Sequence, residues 1–512
     1  MGVVLSLLVV SESIVVGAPP LASLDHGAIG LSPGDLAGLP SADRTPNPYS
    51  IAMPASLVIG QPDFTTHTAG ANATTQRAPS ATTVDRAGDL WVADTFNNRV
   101  LEYVPALGTG MAASVVLGQA SLTSSGPAGG PAGLSAVSSV RVGPSGSVWV
   151  ADSGNNRVLE FVPPFSSGMS ASLVLGQSSF NGTSSGTSAS ALFEPTDLSF
   201  SPTGDLFVSD HENSRIVEFA PPFSIGMNAT VALGQPDLQS GAGATSATGL
   251  SHPFGVAFNA TGALFVGDES NNRVVAYRPP FTTGEAASLV VGQAALTTSA
   301  EGTNSTALHG PLGVAVDSRD NLWVADVMNS RTLEFVPPFV NGMAATVVLG
   351  QPSFTSATPA VTRAGEAGPF GVATDASDNL WVADEVGNRV LEYVPTQFSL
   401  QFVESGLAYG AEWSVTLDGT SHSGATPLIT AMAENGSHAW TVEGLHGYAL
   451  SPRTGTAIVN GTPSVIEVAF NATGVAAPPS PAFPLLVGGL GLVVAIESVL
   501  LAWLLPRLRK SR

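Results

Sequence analysis

The sequence predicts an all-β protein: a six-bladed β-propeller, then a small β-sandwich, then one C-terminal transmembrane helix. Three observations carry this expectation. One tract returns six times at an unvarying spacing. Among 512 residues there are 56 glycines and 38 prolines, a composition that suits short strands and turns better than long helices. A single long apolar run stands near the C-terminus, at 485–505.

Composition narrows the chemistry. With 44% apolar residues the chain can bury sizeable cores. There are 18 basic residues against 39 acidic ones, a formal charge of −21, and Lys510 is the only lysine. Such a chain has no basic surface with which to displace counterions from a phosphate backbone, so no nucleic-acid partner is expected. The absence of cysteine excludes disulfides, thiolate metal sites, iron–sulfur ligation and cysteine nucleophiles.

The two ends read as export and anchoring signals. Residues 1–18 combine an apolar stretch with a small-residue step at Gly17–Ala18, as in a secretory signal segment, although no basic residue precedes Arg44. Residues 19–50 are rich in Pro, Gly and Ser and read as a linker. At the other end, the Pro-rich stalk 475–484 leads into the 485–505 run, which is long enough to span about 30 Å of hydrocarbon as a helix. Glu497 is the one charge inside it. Arg507, Arg509, Lys510 and Arg512 follow in the tail 506–512, which places the C-terminus in the cytoplasm and the rest of the chain outside the plasma membrane.

Between these ends, DLWVADTFNNRVLEYVP (89–105) recurs as SVWVADSGNNRVLEFVP, DLFVSDHENSRIVEFAP, ALFVGDESNNRVVAYRP, NLWVADVMNSRTLEFVP and NLWVADEVGNRVLEYVP. Its aspartates, Asp94, Asp152, Asp210, Asp268, Asp326 and Asp384, stand 58 residues apart, and so do its arginines, Arg99, Arg157, Arg215, Arg273, Arg331 and Arg389. A second marker, the Gly-Gln dipeptide ending an "LVxGQ" strand, keeps the same step. In the fourth copy FGVAF (254–258), ALFVGD, RVVAY and ASLVVGQ read as four strands separated by turns. Four strands per unit, repeated without helices, is the signature of a propeller blade. A "GQ" strand precedes the first copy and none follows the last, so the N-terminal strand is expected to complete the last blade of a ring spanning 52–395.

The D-x-x-N-x-R hairpins resemble NHL repeats. That resemblance implies the propeller fold and, because some related six-bladed propellers are metal-dependent lyases or lactonases, one candidate chemistry. The repeated Asp and Arg themselves read as structural: identical groups in every blade fasten loops, whereas active sites break symmetry. Aromatic residues at one strand position (Trp91, Trp149, Phe207, Phe265, Trp323, Trp381) are expected to pack between blades.

Function should lie where copies differ. The fourth-to-first strand connections, such as 62–79 and 178–195, are long and polar, and with the second-to-third strand loops they should ring the channel on one face. Blades three to five concentrate Glu194, Asp197, His211, Glu212, His252, Glu269 and His309 there. These could ligate Zn²⁺ or Ca²⁺, though no ligand spacing such as H-x-x-x-H supports it and no cofactor is expected. No nucleophile elbow on a strand-to-helix turn, P-loop or dinucleotide fingerprint is read, and no catalytic residue is assigned.

Residues 398–474 show about six alternating strands, enough for a small sandwich. The pieces FVESGLAYGAEWSVTLDG and ENGSHAWTVEGLHGYALSPRTG resemble a repeat of archaeal cell-surface proteins, including thermopsin-associated ones, and imply a spacer. Eight N-x-S/T acceptors, Asn72, Asn181, Asn228, Asn259, Asn304, Asn435, Asn460 and Asn471, all precede the span, on the side where glycosylation is expected. The expectation is a membrane-anchored extracellular propeller that binds a protein, glycan or envelope partner, with a metal-dependent lyase or lactonase and a purely structural envelope protein as alternatives.

Overall fold

The computed structural model describes residues 48–473 apart from 409, 435 and 460–463. The signal segment 1–18, most of the linker, the stalk, the 485–505 span with Glu497, the basic tail, Asn435 and Asn460 lie outside the described residues. Among the described residues no helix is long and apolar enough to cross a membrane.

The chain up to Tyr393 forms six four-stranded sheets. In the first, Pro79–Val84, Leu90–Asp94, Arg99–Tyr103 and Val115–Leu117 lie side by side in chain order. The next four sheets repeat this plan. In the sixth, Pro369–Thr374, Leu380–Asp384 and Arg389–Tyr393 take Leu57–Ile59 as their outer strand, with Leu57 opposite Glu392. First strands of successive sheets touch one another in a closed cycle, the last returning to the first. This is a β-propeller, and its first strands wall a central channel.

Burial explains the strand sequences. Every residue of Leu90–Asp94 is buried, because one face packs on the preceding sheet and the other on the following one. A strand buried on both faces reads as a continuous apolar run, which is why "LWVAD" shows no polar alternation.

The N-terminal contribution is longer than the sequence suggests. Tyr49 packs edge-on against Trp323 with ring centroids 4.7 Å apart, the geometry Phe165 adopts on Trp91. YSIAMPASLVIGQ (49–61) aligns without a gap to FSSGMSASLVLGQ (165–177), so the repeat begins at residues 48–49 and not at 52. Pro48 and Tyr49, assigned to the linker from composition, are buried, and Thr396 N–H donates to Pro48 O at 2.9 Å. Residues 48–50 carry neither the "GQ" nor the "WVAD" marker, so composition alone places them in the linker.

The ring is uneven. A Cβ on Gly255 would lie 2.5 Å from Leu312 O, and one on Gly371 2.3 Å from Ser80 O, so first strands in the second half of the ring approach too closely for a side chain. The same repeat position holds Ala81, Ser139 and Asp197 in the first half.

Residues 397–472 form two further four-stranded sheets that enclose Phe398, Phe402, Trp413, Val415, Trp440 and Phe470. Gln397–Ser405 runs parallel to Ser464–Ala472, and the other pairings are antiparallel.

Candidate functional site

The channel mouth is built on the second-to-third strand hairpins, held by the repeated Asp and Arg. In the first sheet Asp94 Oδ1 accepts the Arg77 backbone N–H at 2.7 Å, while Oδ2 accepts Asn97 Nδ2 at 2.9 Å and Arg99 Nε at 2.7 Å. Arg99 Nη2 donates to Asn72 O (2.9 Å) and Thr75 O (3.1 Å), and Nη1 donates to Leu122 O in the next long loop. One buried guanidinium thus ties together two connections and its own hairpin. The pairs Asp152–Arg157, Asp210–Arg215, Asp268–Arg273, Asp326–Arg331 and Asp384–Arg389 repeat the contact at 2.6–2.7 Å. Burial pushes the Asp152 carboxyl up, to about 6, against the pull of Arg157. In the sixth sheet Gly387 replaces the bridging Asn; a Cβ there would meet Asp384 Oδ2 at 2.5 Å.

The glutamine of the "GQ" marker has a role that its regular recurrence could have revealed. Gln119 Nε2 donates to Asn98 O at 2.9 Å and Gly126 O at 2.8 Å, pinning the long loop to the hairpin turn, and Gln61, Gln177, Gln235, Gln293 and Gln351 do the same. The long connections are therefore fastened at several points and present a preformed surface.

On this scaffold the copies diverge at two adjacent hairpin positions. The first reads Thr95, Ser153, His211, Glu269, Val327, Glu385, and the second Phe96, Gly154, Glu212, Ser270, Met328, Val386. Phe96, Met328 and Val386 are 53%, 64% and 60% exposed, an apolar arc over the fifth, sixth and first sheets. Across the channel, the third and fourth sheets carry His211, Glu212 and Glu269, and Glu385 of the sixth sheet is the further ionisable group at these two positions. One layer down, the first strands contribute Ser80, Ser138 and Thr196 on one half and Phe254, Leu312 and Phe370 on the other. Phe254 and Phe370 meet edge to face at 5.0 Å across the channel.

Four of the residues singled out from the sequence converge. The rings of His211 and His252 stand 5.2 Å apart, and His211 lies 6.0 Å from the Phe254 ring. His211 Nδ1 faces Pro253 O at 3.2 Å; a carbonyl only accepts, so Nδ1 carries the proton and Nε2 of the neutral ring has a free lone pair. That Nε2 lies 3.9 Å from Glu212 Oε1 and 4.0 Å from Glu269 Oε2. Burial lowers the His211 pKa, with His252 adding to the effect, and burial raises that of Glu269. His252 Nδ1 is 3.1 Å from Ser270 Oγ, and its backbone sits at φ 51°, a left-handed conformation that Gly310 and Gly368 occupy in the next two sheets.

The other three lie elsewhere. His309 pairs with Glu301 at 3.1 Å. Glu194 is exposed at the repeat position of His252 on the third sheet. Asp197 belongs to the channel wall, buried against Arg141 at 3.0 Å, Ser139 Oγ at 2.5 Å and Val256 N–H at 3.1 Å. Among the described residues no group of three or more His, Asp or Glu is placed to hold a metal ion. A cavity of about 340 Å³ between Ala52, Gly350, Thr358, Ala360 and Thr362 is lined by small residues, with no ionisable side chain, and lies apart from this cluster.

Residues 134–161, in the second copy, match the NHL repeat family model. The fold is a β-propeller, and one of its copies matches the NHL repeat. Similar solved structures include the virginiamycin B lyase of Staphylococcus aureus (TM-score 0.37, 16% identity, covering 71% of this chain and 97% of that one) and a streptogramin B lyase (0.37, 12%, 62% and 93%). A gluconolactonase of Xanthomonas campestris is also similar (0.40, 14%, 68% and 97%). No curated protein sequence matches the chain. Nothing in these matches supports the resemblance of residues 398–474 to an archaeal surface repeat.

Proposed function

We propose that the protein is a six-bladed NHL-type propeller, held outside the cell by a C-terminal membrane span, that binds an extracellular protein or glycan partner through its channel mouth. The observation that carries this reading is the concentration of divergent ionisable and exposed apolar residues at that mouth, on hairpins whose Asp–Arg pair is the same in every blade. A surface that varies on a frame that does not is the form of a recognition site. The apolar run 485–505 with its basic tail supports anchoring, and the exposed acceptors Asn72, Asn181, Asn228, Asn304 and Asn471 are open to modification on the outer side.

The test is exchange of loops 62–79 or 178–195 for the equivalent loop of another copy, with partner capture measured on intact cells. Capture should fall while the fold persists. Unchanged capture favours a purely structural envelope role.

A lyase or lactonase is the second reading, favoured by the proton-accepting Nε2 of His211 beside two carboxylates. It requires turnover that disappears in His211→Ala, and elemental analysis of the purified chain decides whether any metal accompanies it.

A further inference from the structure

We propose that the mouth receives a peptide segment pairing a basic side chain with bulky apolar ones, the basic group seated between Glu212 and Glu269 and the apolar groups over Phe254, Phe370 and the Phe96–Met328–Val386 arc. This deepens the binding reading above and rests on it.

Charge selects one half of the ligand. Glu212 and Glu269 come from adjacent blades and both reach His211 Nε2 to within 4.0 Å, so a cationic group entering between them meets two carboxylates at once. Both side chains are about one-third exposed, which leaves them reachable from the mouth. Glu194 stands on the same side. A chain of charge −21 also draws basic partners over distance and repels a second copy of itself.

Apolar surface selects the other half. Three apolar side chains at one repeat position are each more than half exposed on consecutive blades, and two of them, Phe96 and Met328, are of the types enriched at the centres of protein interfaces. Beneath Met328 and Val386 the layer is apolar, with Leu312 and Phe370 in the same two blades and Phe254 beside them in the fourth, while Ser80 lies beneath Phe96. A sugar would find little to stack on: the blade tryptophans are buried, and the exposed Phe96 ring already has the Arg77 guanidinium 5.7 Å from its centroid.

The experiment is fluorescence anisotropy of the full-length protein with the fluorescein-labelled peptide Gly-Lys-Leu-Phe-Leu-Gly, against one analogue with norleucine for lysine and one with serine for the three apolar residues. The lysine peptide should bind about tenfold more tightly than either analogue, and more weakly in high salt. Glu212→Gln with Glu269→Gln should abolish the lysine preference, and Phe96→Ser with Met328→Ser and Val386→Ser should weaken binding about tenfold, with circular dichroism unchanged in both. Failure of the lysine peptide to bind, equal binding of the norleucine analogue, or a preference that survives the double glutamine variant overturns the proposal. If loop exchange still abolishes native capture after such a result, the binding role stands with another ligand; if loop exchange also has no effect, the binding role itself fails.

Discussion

Arg141 Nη2 lies 3.0 Å from Asp197 Oδ2 and joins the first strands of the second and third blades. Arg141 Nη1 also donates to Thr82 O in the first blade at 3.1 Å, and Asp197 accepts Val256 N–H of the fourth at 3.1 Å. One ion pair therefore links four blades along the half of the channel wall that lacks the close glycine contacts. The sequence places Asp197 among the candidate metal ligands, whereas its carboxylate accepts from Ser139 Oγ, Arg141 Nη2 and the backbone N–H groups of Leu198 and Val256.

Removing one partner of a buried pair strands the other, at a cost of about 3–5 kcal/mol, reduced here because Arg141 keeps 17% exposure. Arg141→Met should lower urea-unfolding stability by about 2–3 kcal/mol. Adding Asp197→Asn should cost less than the two single losses combined, by about 1–3 kcal/mol of coupling. Additive losses would mean that the pair does not act as a unit.

Glu366 offers a pH test. In four other blades this position is leucine (Leu134, Leu192, Leu250, Leu308), but here a fully buried carboxyl accepts from Tyr393 OH at 2.9 Å and Thr332 Oγ1 at 3.0 Å. Burial, and then the nearby Asp384, push its pKa up from 4.5 to about 8. A raised folded-state value means its stabilising contribution is complete below pH 4.5, falls as pH rises towards 8, and then levels off. Glu366→Gln imitates the first blade, where Gln76 Nε2 donates to Tyr103 OH at 3.0 Å. Wild type should lose about 1.4 kcal/mol per pH unit relative to the variant inside that window. Melting temperatures that differ by a constant amount from pH 4 to 9 would contradict this.

The arginine fasteners predict local as well as global effects. Arg157→Met removes the donors to Gly130 O, Gly133 O and Phe180 O and leaves the buried Asp152 without its cation, held only by Ser135 N–H and Asn155 Nδ2. The expected loss is about 3–5 kcal/mol. Amide exchange should accelerate first in the connections 120–137 and 178–195; exchange that rises evenly over all six blades would speak against a fastener that acts on its own two loops.

Ring closure depends on residues 48–61, so truncations at different points should part sharply. Removal of residues 1–44 should leave the melting temperature of the propeller unchanged. Removal of 1–56 takes away Tyr49, Met53 and Ala55, all buried against the last two blades, and should abolish a single cooperative transition. Tyr49→Ala alone should cost about 3–5 kcal/mol, as for other buried aromatics.

The repeats were legible because a 58-residue step without insertions leaves the pattern undisturbed, and each buried Asp–Arg pair needs the same residues in every copy. The mouth was only half legible. His252 and Glu194 share one repeat position and reach the rim, whereas His309 aligns with Ser251, one residue earlier, so its ring pairs with Glu301 instead of joining the other histidines. Asp197 aligns with Gly255 on the channel wall for the same reason of register. The apolar arc went unnoticed because Phe96, Met328 and Val386 are far apart in sequence and unremarkable singly; only their shared repeat position joins them.

The most direct measurement restores the mouth towards its less decorated copies. His211→Ser, Glu212→Gly, His252→Ala and Glu269→Ser together replace the cluster with residues that other blades already carry at those positions or, for position 269, with the Ser153 equivalent of the second blade. Partner capture by cells bearing this variant should be lost while its melting temperature stays within a few degrees of wild type. Undiminished capture by the correctly folded variant would contradict the assignment of function to the channel mouth.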